Sequence, residues 1–277
     1  MRELIKRILK RTVDRTLTVI SSTRIGYYIE EQYTHRVFEK VATIDHRGVG
    51  LKFIAPNALT KARSESFSVK EPETLAWIDQ FEPASVLWDV GANVGLYSIY
   101  AALKRKCKVI AFEPSVFNLE ILVRNIVLNQ LSDEITVVPL ALTEANSTDK
   151  FRMTTTEWGG ARSTFGADVN EDGAPIIPMF GYRTVGWRMD DVLAFHGIDA
   201  PHYLKIDVDG IEHLVLSGGA NVLQQVQQVL IEVNEKFHEQ NIGVIRCLSS
   251  AGLTKIGQGR GKQYEGTDGF NEIWARV

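Results

Sequence analysis

The sequence predicts an α/β fold: a doubly wound, mostly parallel sheet covered by helices on both faces. Three observations predict it. From residue 86 onward, short β-favouring runs alternate with helical patterns, the arrangement in which crossover helices link parallel strands. Three of these runs end in an acid: Asp89, Glu113 and Asp207. The first run passes through a glycine-punctuated turn, Asp89-Val90-Gly91-Ala92-Asn93-Val94-Gly95, into a helical pattern. Ligands of open parallel sheets bind beyond the carboxyl ends of the strands, so the three acids are expected to meet at one crevice.

The central strand is expected at 86–90. Gly91 and Gly95 let the chain turn sharply and let a ligand approach the backbone. The helix that follows aims free N–H groups at that turn. Asp89 adds an acceptor-only group able to hold an ammonium or a hydroxyl. Further strands are expected at 109–113, 135–140, 203–208, 229–233, 253–256 and 273–277, the last two joined by a glycine-rich loop. Helices are expected at 118–128 and 211–218, and one capped around Asp190-Asp191. Residues 145–185 break the alternation and read as an inserted hairpin plus a long loop, with Gly159, Gly160, Arg162 and Ser163 as a candidate lid.

Upstream, residues 70–78 read as a helix with proline and acids in its first turn. Residues 62–68 are polar, 42–54 suggest a small β-hairpin, and 21–33 an aromatic-rich helical or irregular piece. At the start, Leu4, Ile5, Ile8, Leu9, Val13, Leu17 and Ile20 recur at helical spacing. Arg2, Lys6, Arg7, Lys10, Arg11 and Arg15 fill much of the remainder, opposed by Glu3 and Asp14. Such a helix lies on a membrane surface, or packs on the domain or a second subunit. The two acids argue against a transit peptide, and the broken apolar run against a signal peptide. Residues 1–69 are thus an N-terminal helical and hairpin extension, and 70–277 the main domain.

The 277 residues suffice for a substantial core. A net charge of −3 gives no reason to expect a nucleic-acid partner. No apolar run is long enough to cross a bilayer. Cys107 and Cys247 form no metal or redox motif, which suits a reducing, cytoplasmic setting, peripheral at a membrane if the first helix docks there. Lysines and Arg105 around Cys107 would lower its pKa; the alternative is a cysteine entering a buried strand.

Lys205 and Asp207 lie two apart on one strand and share a face. A lysine buried there needs a partner, and Asp207, Asp209, Glu212 or Glu232 can supply it. The pair is either structural or lines a reaction centre, where Asp207 or Lys205 would orient a hydroxyl or move a proton. His213 and His238 are further candidate bases. Asp207, Asp209 and Glu212 could hold magnesium, but acids spaced like this at a helix start cap it more often, and no metal site is expected.

The residues Trp88-Asp89-Val90-Gly91-Ala92-Asn93-Val94-Gly95-Leu96-Tyr97-Ser98, Ala111-Phe112-Glu113-Pro114-Ser115, Asn118 and Asn125 resemble the class I S-adenosylmethionine-dependent methyltransferases, and more closely the FkbM family. So do Leu204-Lys205-Ile206-Asp207-Val208-Asp209-Gly210-Ile211-Glu212, Val215-Leu216-Ser217-Gly218 and Lys70-Glu71-Pro72-Glu73-Thr74. The resemblance covers roughly residues 70–277. It departs at Asp209, where many relatives carry glutamate. It implies a seven-stranded Rossmann-like sheet and methyl transfer from S-adenosyl-L-methionine to a hydroxyl of a sugar, glycan or natural product. By the same resemblance Asp89, Gly91, Asn93 and Gly95 would surround the amino-acid part of the cofactor. Glu113 would bind the ribose, with Pro114 and Asn118 nearby, and Leu140-Ala141 would face adenine. Asp207 would lie near the transferred methyl, with Lys205 or His238 as alternatives in deprotonating the acceptor. Two rival readings are an NAD-dependent oxidoreductase and a non-catalytic membrane-docked module. The first is weakened because Asn93 and Tyr97 stand where a dinucleotide fingerprint wants glycines.

Overall fold

A computed structural model describes residues 2–259 and 268–276. The chain opens with helices α1 (Arg2–Ser21) and α2 (Arg24–Phe38), a hairpin β1 (Val41–His46) and β2 (Val49–Ile54), then α3 (Ala58–Lys70) and α4 (Pro72–Ile78). Next come β3 (Val86–Val90), α5 (Leu96–Arg105), β4 (Lys108–Phe112), α6 (Val116–Leu128) and β5 (Ile135–Val138). An excursion follows: β6 (Ala141–Leu142), β7 (Ser147–Met153), β8 (Ser163–Phe165) and β9 (Phe180–Trp187). The chain then runs through α7 (Met189–Leu193), β10 (Tyr203–Ile206), α8 (Glu212–Ser217), α9 (Ala220–Gln225) and β11 (Gln228–Asn234). It ends with α10 (His238–Ser250), β12 (Leu253–Gly259) and β13 (Gly269–Arg276).

Seven strands form the main sheet in the order β12-β13-β11-β10-β3-β4-β5. The five from β5 to β11 run parallel, and β13 is antiparallel to both its neighbours. The chain leaves β3 outward through β4 and β5, then returns to β10 on the other side of β3. That reversal is the point at which open sheets bind ligands. The fold is therefore the expected Rossmann-like α/β class.

Strand alternation divides the core in two. Leu87, with Val109, Ala111 and Leu230, packs among Ile99, Tyr100, Phe67 and Ile121. Val86, Trp88 and Val90, with Leu204 and Ile231, pack among Val215, Leu223 and Val244 on the opposite face. Asp89 alternates with Trp88 and so falls on the first face.

Several expectations need correction. Residues 145–185 supply three strands of a second, four-stranded sheet, β6-β9-β7-β8, rather than a hairpin and a loop. Phe151, Met153 and Phe165 give it a small core of its own. The polar run at 62–68 is the body of α3, whose buried side is largely polar (Thr60, Ser64, Phe67) and so lacks an apolar stripe. Leu51, Phe53 and Phe67 belong to the same core cluster as Leu87, so the hairpin and α3 pack into the main domain. Asp190 sits inside α7 but caps α9, accepting from the Asn221 and Val222 N–H groups at 3.0 Å each. The Cys107 thiol is buried, and burial raises its pKa, so the surrounding lysines do not activate it. The glycine-rich loop at 260–267 and Val277 lie outside the described residues.

Candidate active site

The β3–α5 turn is built by close backbone contacts. The Gly91 and Ala92 N–H groups both donate to the Phe112 carbonyl, at 3.0 and 2.9 Å. Gly91 has φ +82°, and a Cβ there would lie 1.8 Å from the Asp207 carbonyl oxygen. Only glycine allows the ends of β3 and β10 to approach this closely. Asn93 adopts φ 52°, a left-handed conformation its short polar side chain tolerates.

A cavity of about 190 Å³ opens beyond these strand ends. Of the residues singled out from sequence, Gly91, Asn93, Glu113, Pro114, Asn118, Ala141, Lys205 and Asp207 line it. Asp89, Gly95 and His238 do not. Gly95 is the N-cap of α5, with φ 83°. His238 is exposed at the start of α10. His213 packs its ring on Phe237, and burial lowers its pKa; it too lies off the cavity.

Glu113 anchors one flank. Its carboxyl group accepts from the Asn93 N–H at 2.8 Å and the Ser115 N–H at 2.7 Å. Burial raises its pKa to about 7, and those two amides pull the other way. Each oxygen keeps a second lone pair, so a pair of hydroxyls can still be accommodated. Asn93 and Asn118 donate through Nδ2 to the Gly160 carbonyl at 2.7 and 3.0 Å, and the Gly159 N–H donates to Asn118 Oδ1 at 3.0 Å. These bonds hold the 159–160 segment over the cavity. Asn93 Oδ1 is buried without a partner, an orphan acceptor beside the site. The Tyr182 hydroxyl donates to the Pro114 carbonyl at 2.6 Å and so fastens the second sheet across the same rim.

The other flank is ionic. Lys205 is 2% exposed, with Nζ 3.1 Å from Asp207 Oδ2 and 3.8 Å from Asp89 Oδ1. The register of β10 on β3 sets Lys205 directly beside Asp89. Asp89 also accepts from the Ser98 hydroxyl at 2.5 Å, so it is an internal partner of Lys205 behind the cavity wall. Burial raises the Asp89 pKa, with Lys205 and Ser98 opposing. Lys205 is itself pushed up: burial acts to lower its pKa, but Asp207, Asp89 and Glu71 outweigh it. Asp207 is held low: burial opposes, yet the Lys205 ammonium and a hydrogen bond from Glu232 prevail. Glu232, half-buried beside Asp207, is pushed well up by desolvation and by the Asp207 charge, and donates in that pair when protonated. Asp209 is raised to about 7 by burial and by Asp207.

Sequence reasoning gave no site role to Arg63, Lys70, Glu71, Tyr97, Phe151 and Phe165, all of which line the cavity, as does Glu232, a candidate partner of Lys205. Glu71, 2% exposed, was signalled by the Lys70-Glu71-Pro72 segment, where an acid precedes a proline-started helix. Phe151 and Phe165 come from the second sheet and carried no signal. A second cavity of about 630 Å³ adjoins the first and shares Arg63, Lys70, Ala161, Asp209 and Glu232 with it. No group of metal-ligating side chains is found among the described residues.

A mostly parallel sheet whose switch point carries a glycine turn, a strand-terminal acid and an acid-rich wall defines a Rossmann-like α/β fold with its crevice at the strand ends. The methyltransferase FkbM domain signature matches residues 89–254, and the chain belongs to that family. It is 29% identical over 180 residues to the hexuronic acid methyltransferase AglP of Haloferax volcanii, a match covering 64% of this chain and 66% of that protein. It is 28% identical over 200 residues to the AMB antimetabolite synthetase AmbE of Pseudomonas aeruginosa, covering 60% of this chain but 9% of that much longer protein. The chain thus spans just under two thirds of the first relative and a small part of the second. Among solved structures, the methyltransferase FkbM of Methylobacillus flagellatus KT aligns with a TM-score of 0.49 and 16% identity, covering 71% of this chain and 44% of that one.

Proposed function

We propose that this chain is an S-adenosylmethionine-dependent O-methyltransferase acting on a hydroxyl of a sugar or glycan. The observation that carries the proposal is the pairing, in one cavity, of Glu113 on its amide cradle with the Lys205–Asp207–Glu232 cluster. The donor set suits the cofactor. Glu113 would take the ribose hydroxyls, and the orphan Asn93 Oδ1 marks further acceptor capacity on that rim. Leu140, Ala141 and Phe165 offer an apolar slot for adenine. Carboxyl groups outnumber the one fully buried ammonium, which favours cationic ligand groups over anions. S-adenosylmethionine supplies an electrophilic methyl group when bound.

The chain's own residues then have distinct tasks. Asp207, ionised and fixed by Lys205, supplies negative charge at a set position. Lys205, held protonated by its carboxylates, is no proton acceptor at neutral pH. Asp209, with a pKa near 7 and a place on both cavities, is the group matched to accept a hydroxyl proton. The larger cavity is the acceptor chamber. Six carboxyl groups line it (Glu171, Asp172, Asp209, Glu212, Glu232, Asp268). Among the described residues three cations line it: Arg162 pairs with Glu171 at 2.9 Å and Lys70 with Glu71 at 3.0 Å, while Arg63 donates through Nε to the neutral Gly159 carbonyl at 2.6 Å. A hexuronic acid, the acceptor in the name of the Haloferax relative, would meet six carboxyl groups against three cations among the described residues, so the acceptor proposed here is an uncharged, hydroxyl-rich sugar.

Incubation with methyl-labelled cofactor and neutral or uronate oligosaccharides of matched length tests this. Label appearing as a base-stable ether on the neutral set, lost in Asp209→Asn, is the expected result. Transfer confined to the uronates would refute the acceptor class, and cofactor binding without transfer to either would refute the reaction.

A further inference from the structure

We propose that the α1–α2 hairpin docks the protein on an anionic lipid surface, with α1 lying in the interfacial plane. This proposal is independent of the chemistry assigned to the cavities. In α1, Ile5, Ile8, Leu9, Val13, Leu17, Val19 and Ile20 are all at least 41% exposed. In α2, Ile25, Tyr27, Tyr28, Ile29 and Tyr33 are at least 56% exposed. Monomeric proteins seldom leave so much contiguous apolar surface in water. No helix of the described residues is long and apolar enough to span a membrane, so α1 would rest on a bilayer rather than cross it.

Charge identifies the occupant. The first 40 residues carry nine Lys and Arg against five Asp and Glu, in a chain whose net charge is −3. On a helical projection Lys10 flanks one edge of the apolar arc of α1, and Arg11 and Arg15 flank the other. Side chains at those edges reach lipid headgroups while their stems lie along the apolar face. A second copy of α1 would bring the same positive charges and be repelled; an anionic surface attracts them. Within the arc, the Thr12 and Thr16 hydroxyls donate to the Ile8 and Thr12 carbonyls at 3.0 Å each, which spares them a desolvation cost on burial in lipid. The tyrosines of α2 suit the headgroup layer, where one end of the ring is apolar and the other wet.

The hairpin is tied to the body of the protein. Phe38, at the end of α2, meets Trp158 edge to face at 5.1 Å, and the Arg124 guanidinium lies 4.1 Å over its ring. Trp158 directly precedes the Gly159–Gly160 segment over the cofactor cavity. A docked hairpin would therefore hold that rim at a fixed place relative to the surface.

Flotation of the full chain with vesicles of phosphatidylcholine, alone or mixed with phosphatidylglycerol, tests the proposal. Wild type is expected to float with the mixed vesicles only, and high salt to release it. Lys10→Glu/Arg11→Glu/Arg15→Glu is expected to lower partitioning about a hundredfold or more, since each basic side chain near such a surface contributes a several-fold factor. Leu9→Asp/Val13→Asp, at exposed positions, should abolish flotation and leave the melting temperature unchanged. Protein that stays unbound with mixed vesicles would overturn the proposal. So would equal flotation with neutral ones, or a dimer in light scattering that Leu9→Asp/Val13→Asp dissolves while flotation persists.

Discussion

The two flanks of the smaller cavity are made from the same kind of residue and do opposite things with it. On the β4 flank one carboxyl group, Glu113, is met by two backbone amides, and the asparagines beside it tether a loop. On the β10 flank several carboxyl groups crowd one ammonium, and their titrations are driven apart: the Lys205 charge holds Asp207 low, while burial and the Asp207 charge push Glu232 up. The first flank is held by hydrogen bonds to backbone groups, so each of its side chains contributes a limited, separable share. The second is fixed by charge, so each member depends on the rest. Such separation of neighbouring carboxyl groups is the usual mark of a reaction centre.

The largest way to break this contrast is Lys205→Met. It strands Asp89 and Asp207 without their cation, and removing one partner of a buried ion pair costs about 3–5 kcal/mol. Chemical denaturation should show that loss, whereas Asn118→Ala on the other flank should cost about 1–3 kcal/mol. Next come the two glycines of the turn. Gly91→Ala drives a Cβ to 1.8 Å from a backbone oxygen of β10, and a cost of about 2–5 kcal/mol follows from clash plus left-handed strain. At Gly95 the added Cβ meets the Leu122 Cδ1 at 2.5 Å, a side-chain end that can move, so Gly95→Ala should cost about 1–2 kcal/mol. Equal losses at the two positions would mean that β3 and β10 are not in close contact.

A smaller effect sharpens the electrostatic half. Glu113 has a pKa of about 7 in the folded chain against 4.5 for a free glutamate side chain, so the folded state binds the proton more tightly. Between those values the native protein holds more protons than the unfolded chain, and stability falls as pH rises. Asp209, raised to about 7 from 3.8, acts in the same direction. The unliganded protein should therefore lose stability from about pH 4 to about pH 7, and Glu113→Gln should flatten part of that slope. Urea midpoints measured across this range check it.

Much of this was legible in the sequence because it is local. The strand, glycine turn and helix at 86–105 lie in one continuous stretch, and the acids closing β4 and β10 are each adjacent to their own strand. The pairing of Lys205 with Asp89 across strands was not legible. Asp89 looks like a ligand group in sequence, and the register places it beside Lys205 and off the cavity lining. The second sheet was missed because β6 has two residues and β8 three, too short for a period, while Gly181 and Gly186 interrupt β9. His238 carries the right chemistry for a base, but α10 begins at the surface there and leaves it outside both cavities.

The most direct measurement is calorimetric titration of S-adenosylhomocysteine into wild type, Glu113→Gln and Asp89→Asn at pH 6 and pH 8. One site is expected in wild type, tighter at the higher pH as Glu113 ionises. Glu113→Gln should weaken it about ten- to a hundredfold, the worth of hydrogen bonds to a charged acceptor, and erase the pH difference. Asp89→Asn should change the affinity much less, because that group lies behind the cavity wall. No binding by wild type, or equal affinity in Glu113→Gln at both pH values, would contradict the assignment of this cavity to the cofactor.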